Sequence, residues 1–85
     1  MTWQFRVWIG GASEDDLLDW SNALFEAGCD DSSPGTFEGR AHADFHRQAD
    51  DLTDAIRSAV ADIQRAGLIA ERVEITTDEV AHWPA

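Results

Sequence analysis

His42, Asp44 and His46 stand two residues apart along the chain. Two imidazoles and a carboxylate are suitable ligands for zinc, or for a two-histidine, one-carboxylate iron site. On an extended strand they share one face, with neighbours roughly 6.5–7 Å apart and the outer pair roughly 13 Å apart. One ion reaches all three only across a bulge or with ligands from a second chain. They read instead as polar residues on an open sheet face, and no metal or cofactor is expected.

The other chemical candidates fail on similar grounds. Cys29 is followed by Asp30 and Asp31, and adjacent carboxylates raise a thiol's pKa and suppress the thiolate. Cys29 therefore reads as a structural residue. Successive strand residues point to opposite faces, so Asp30 and Asp31 cannot share a proton as a dyad. Gly10-Gly11 sits where a phosphate-binding turn would, but Glu14, Asp15 and Asp16 open the helix that follows and would repel the phosphate. Asp50, Asp51, Asp54 and Asp62 lack the spacing of a calcium loop and read as capping or solvated charges. Nothing matches a Ser/His/Asp arrangement. The chain is read as a non-enzyme.

Trp8 is more informative. Thr2 to Ile9 alternates strictly, with Trp3, Phe5, Val7 and Ile9 on one face and Thr2, Gln4, Arg6 and Trp8 on the other. Period two with β-formers predicts a strand. Trp8 then falls opposite the core set, beside the His42/Asp44/His46 row if the two strands are neighbours. A bare aromatic on an uncovered sheet predicts that something covers it. The candidates are a second copy, a protein partner, or the C-terminal Trp83-Pro84 folding back. The expected contact set is Trp8, Arg6, His42, Asp44, His46 and Trp83.

The remaining elements follow from spacing. Ser13 reads as an N-cap, with Leu17, Leu18, Ser21, Leu24 and Phe25 as the apolar stripe of a first helix, Trp20 flanking it and Gly28 beyond its end. Cys29-Asp30-Asp31-Ser32 reads as a short edge strand ahead of a Ser33-Pro34-Gly35 turn. Alternation resumes from Phe37 to Arg47, with Ala41, Ala43 and Phe45 facing the core. Asp50 or Asp51 caps a second helix whose stripe is Leu52, Ile56, Ala59, Val60 and Ile63, and Gly67 stops it. Leu68 to Thr76 reads as the last strand, with Val73 and Ile75 inward and Arg72 and Glu74 outward. Residues 1–76 thus form one α+β domain in β-α-β-β-α-β order, a ferredoxin-like sandwich with two helices on one face of a four-stranded antiparallel sheet. Residues 77–85 form a polar tail.

Composition narrows the partners. Among 85 residues there are seventeen acids, six arginines and no lysine, for a net charge of −11. That field repels phosphate backbones and anionic lipids, so neither nucleic acid nor a membrane is expected as a direct partner. The six arginines are scattered in sequence, without a basic stripe. A single cysteine makes no internal disulfide, no apolar run approaches the roughly 20 residues of a membrane span, and the N-terminus lacks signal-peptide features. A cytoplasmic setting is expected.

Glu26-Ala27-Gly28-Cys29-Asp30-Asp31, Gly35, Gly39, Asp44-Phe45, Arg47, Ala49, Ser58-Ala59, Asp62, Gly67 and Arg72-Val73-Glu74 together resemble the common core of a group of small, uncharacterised bacterial proteins. The resemblance spans about residues 3–75. In similar proteins this domain often precedes a helix-turn-helix segment, and those chains are labelled DNA-binding regulators. Only eleven residues follow Glu74, too few for the two helices of such a reader. The resemblance implies a sensing or assembly half without the DNA-reading half, and it supplies no catalytic residue. The expected function is a small acidic interaction or regulatory module, adaptor or antitoxin-like, working through its open sheet face as a homodimer or with a protein partner. The alternative is a small-ligand-sensing domain that binds at a dimer interface.

Overall fold

The computed structural model describes residues 1–75. The chain forms β1 (Thr2–Gly10), a single 3-10 turn (Glu14–Asp16), α1 (Leu17–Glu26), β2 (Ser32–Phe37), β3 (Arg40–Gln48), α2 (Leu52–Arg65) and β4 (Ile69–Ile75). The four strands make one antiparallel sheet in the order β2-β3-β1-β4. This is the expected ferredoxin-like α+β arrangement, with β1 and β3 central.

The alternation along β1 and β3 sets the inner layer. Trp3, Phe5, Val7, Ile9, Ala41, Ala43 and Phe45 are buried against Trp20 and Leu24 of α1 and Leu52, Ala55, Ala59 and Ile63 of α2. Phe5 and Phe45 are directly paired across the strands. Their rings stack at 5.3 Å with planes 9° apart, a cross-strand aromatic pair at the centre of the sheet. The indole N–H of Trp3 donates to the Ala49 carbonyl at 3.2 Å and ties down the strand ends.

Several local expectations shift. The buried face of α1 is Trp20 and Leu24, with Leu17 half-buried, while Leu18 and Phe25 are 74% and 67% exposed. Trp20 sets this rotation: its ring is the largest on the helix, and its N–H donates to the Ser13 carbonyl at 2.9 Å. The Ser13 hydroxyl does not cap the helix but donates to the Asp16 carboxylate at 3.2 Å. At α2 the cap is Asp51, extended at φ −144°, whose Oδ1 accepts the Asp54 N–H at 2.8 Å. Ala55 is buried in α2, and Ile56 and Val60 lie only at the margin.

The hairpin is the larger correction. Cys29 lies before the strand, buried in the core, and Ser33-Pro34-Gly35 are strand residues paired with Asp44, Ala43 and His42. The turn is Glu38-Gly39, at φ 52° and 77°. Two consecutive positive φ values match the twist of a tight hairpin, and glycine adopts the second without strain. Pro34 is tolerated because β2 is an edge strand, as expected. β4 starts at Ile69, and its register on β1 slips between Trp8 and Ile9, leaving Glu71 as an extra residue.

Candidate functional site

The helices cover one face of the sheet, and the polar alternation of β1, β3 and β4 builds the other. Register places Gln4 against His46, Arg6 against Asp44 and Trp8 against His42. On the other side of β1, Trp8 pairs with Arg72 and Arg6 with Glu74. The structure therefore brings Arg6, Trp8, His42, Asp44 and His46 onto one surface, as expected. Trp83 and the tail from residue 77 lie outside the described residues.

Trp8 is not bare, which corrects the expectation of an exposed indole: it is only 5% exposed. Its cover comes from its own chain. The guanidinium carbons of Arg40, Arg6 and Arg72 lie 4.6, 5.5 and 5.6 Å from the ring centroid, within cation–π range. The imidazole of His42 meets the indole edge-on at 5.3 Å. The indole N–H donates to Glu74 Oε1 at 2.6 Å, and Arg72 Nη2 donates to the same oxygen at 2.5 Å. Trp8 is nonetheless outside the core cluster. It is a second, polar-walled packing centre on the face away from the helices.

The arginines scattered in sequence thus gather in space: Arg6, Arg40 and Arg72, half the chain's six, frame one ring. Sequence reasoning missed Arg40 and the role of Glu74. The available signal was parity, since Arg40 precedes His42 by two residues and Arg72 and Glu74 alternate with Val73. What it could not show was that three long side chains on different strands reach one indole.

His42 corrects the expectation of a solvated row. It is 8% exposed, and its ring fits because Gly35 lies across from it. A Cβ at Gly35 would come within 3.0 Å of His42 Cε1. His42 Nδ1 has no hydrogen-bond partner among the described residues and lies 3.7 Å from Asp44 Oδ1. That carboxylate is held by Arg6, through Nε at 2.6 Å and Nη2 at 3.1 Å. This bidentate pair holds the Asp44 carboxyl below its ordinary pKa. Burial, with Arg6 nearby, pushes the His42 imidazole down. The Trp8 N–H lowers the Glu74 carboxyl. Only His46 of the row is exposed. No group of three or more His, Cys, Asp or Glu among the described residues could hold a metal ion. An open groove of about 350 Å³ runs beside the cluster, lined in part by Gln4, Arg6, Asp44, His46 and Glu74.

A second polar centre lies at the inner face of β3. Arg47 is 7% exposed. It donates from Nε and Nη2 to Asp31 at 2.8 and 3.0 Å, from Nη2 to the Gly28 carbonyl at 3.2 Å and from Nη1 to Ser58 Oγ at 3.1 Å. Asp62 Oδ2 lies 3.0 Å from Nη1, so Asp62 is no solvated charge. It also pairs with Arg65. Gly28, Asp31, Arg47, Ser58 and Asp62, distant in the sequence, converge here and join the end of α1, β3 and α2. Burial pushes the adjacent Cys29 thiol up, against formation of the thiolate.

Among the described residues no helix is long and apolar enough to cross a membrane. The chain matches no protein-family model, no curated protein and no solved structure, so its own geometry carries the functional argument.

Proposed function

We propose that this chain is a non-catalytic protein-interaction or regulatory module, adaptor or antitoxin-like, that docks a protein partner on its open sheet face. The observation that carries this reading is the Trp8 cluster, an indole framed by three arginines in a chain of net charge −11. The indole is covered by its own chain, so the arginines around it, a residue type enriched at interface hot spots, present the contact surface. The acidic body steers a basic partner toward the domain. The exposed Arg40 guanidinium then meets the partner's carboxylate or carbonyl oxygens, while Arg6 and Arg72 are held by Asp44 and Glu74. A cytoplasmic setting belongs to this reading, which is consistent with the single free cysteine.

Quantitative affinity capture from the source cell tests it. Arg40→Glu reverses a charge on the face, and Arg57→Glu reverses one on the exposed side of α2. A protein retained by the wild type and by Arg57→Glu, but reduced at least about tenfold by Arg40→Glu, supports the face. A partner equally retained by all three contradicts it.

The groove beside Arg6 and Asp44 favours a second reading, a small-ligand-sensing domain. It offers donors from Arg6 and Gln4 and acceptors from Asp44 and Glu74. A metabolite that raises Tm in the wild type but not in Gln4→Leu would favour it, since a ligand bound only to the folded state stabilises that state.

A further inference from the structure

The two sheet edges are not equivalent. β2 carries Pro34 and Gly35, whereas Ile69–Ile75 of β4 contains neither proline nor glycine. Among the described residues, β4 pairs with β1 on one side and with no strand on the other. An unpaired edge offers a row of backbone donors and acceptors to another chain. The extra residue Glu71 interrupts the ladder, which leaves residues 72–75 as the regular stretch. Because ladder groups alternate sides along it, antiparallel pairing with its own copy requires a twofold axis through a residue, not between residues.

An axis at Glu71 or before it falls on the bulge and breaks the ladder. Among axes at Arg72, Val73 and Glu74, side-chain charge selects one. An axis at Arg72 opposes two arginines, and one at Glu74 opposes two glutamates. Like charges directly opposite destabilise a strand pair. An axis at Val73 instead sets Arg72 against Glu74 in both directions, with valine against valine on the inner side. Arg72 and Glu74 are 56% and 46% exposed, so both reach a neighbour.

We infer that β4 is a self-association edge. Two copies of this chain pair antiparallel about Val73, joined by reciprocal Arg72–Glu74 pairs, into a continuous eight-stranded sheet. This surface is distinct from the open face. It places both open faces on the same side, with the two Trp8 strands three strand spacings, about 14 Å, apart. The proposed docking surface is thereby doubled.

Complementary charge reversal tests the register by light scattering, with circular dichroism confirming that each variant is folded. The wild type is expected to dimerise, and Arg72→Glu and Glu74→Arg are each expected to be monomeric. An equimolar mixture of the two variants is expected to form a heterodimer, because each then supplies the charges the other lacks. Arg40→Glu, on the face but off the edge, should remain dimeric. The inference is overturned by a wild type still monomeric at about 1 mM, where even a millimolar dissociation constant puts half the chains in dimers. It is equally overturned by single reversals that stay dimeric, by a mixture that stays monomeric, or by loss of the dimer in Arg40→Glu. Each of these outcomes concerns β4 and leaves the affinity-capture result on the face standing or falling separately.

Discussion

The indole N–H of Trp8 is held by Glu74 Oε1 at 2.6 Å, on a residue two positions along β4 from its paired neighbour Arg72. That diagonal contact, shared with the Arg72 guanidinium, anchors the cover that Arg6, Arg40 and Arg72 make over the ring. The cluster is therefore both a packing centre and the proposed contact surface, and its removal has a stability cost. Trp8→Ala is expected to destabilise the domain by about 3 kcal/mol, toward the lower end for a buried tryptophan because the site faces solvent. Thr2→Ala, exposed on the same face, should cost less than about 0.5 kcal/mol. Urea denaturation of the two variants measures the difference.

Arg47 presents the opposite situation, a cation enclosed by Asp31, Asp62, Ser58 and the Gly28 carbonyl. Removing one partner of a buried ion pair strands the other charges, at a cost of about 3 kcal/mol or more. Arg47→Ala is expected to lose that much, a large fraction of the roughly 4–13 kcal/mol available to a domain of this size. Arg47→Lys should recover only part of it, since an ammonium cannot reproduce the guanidinium fork. Equilibrium denaturation, read by circular dichroism, checks both.

His42 ties stability to pH. Its unfolded-state pKa lies near the ordinary 6.5, and burial beside Arg6 lowers it in the folded state. Below about 6.5 the unfolded chain binds a proton that the folded chain refuses, so stability falls as pH drops from about 6.5 to the folded value and then levels off. Asp44, lowered by Arg6, adds a separate loss once pH falls through the carboxylate range below 3.8. Thermal melts between pH 8 and pH 5 should show the first decline in the wild type. In His42→Leu that decline should shrink.

The hairpin yields a stabilising substitution. Glu38 holds φ 52° ahead of Gly39 at 77°, a pair of conformations for which Asn-Gly is the preferred sequence. Glu38→Asn should raise stability by about 0.5–1 kcal/mol, read as a higher Tm. An unchanged or lower Tm would mean that Glu38 is not strained.

Much of this was legible from period alone. Alternation through Trp3–Ile9 and Ala41–Phe45 fixed which side chains face the helices, and the same parity fixed the polar row. The places where reading by period failed have physical causes. Leu18 and Phe25 fit a helical stripe as well as Leu17 and Leu24 do, and only the docking of Trp20 decides the rotation. Ser33-Pro34-Gly35 has turn chemistry, yet an edge strand tolerates proline and the space beside His42 is tight for any side chain at position 35. The cover over Trp8 and the ring of partners around Arg47 depend on long side chains converging from separate strands and helices. No one-dimensional spacing encodes that convergence.

Site-specific photocrosslinking in the source cell tests the role of the open face most directly. A photoreactive residue at Gln4, exposed on that face, is compared with one at Arg57 on α2. A discrete partner adduct is expected from position 4, lost when Trp8→Ala is added, with none from position 57. An adduct from position 57 and none from position 4 would contradict the docking role of this surface.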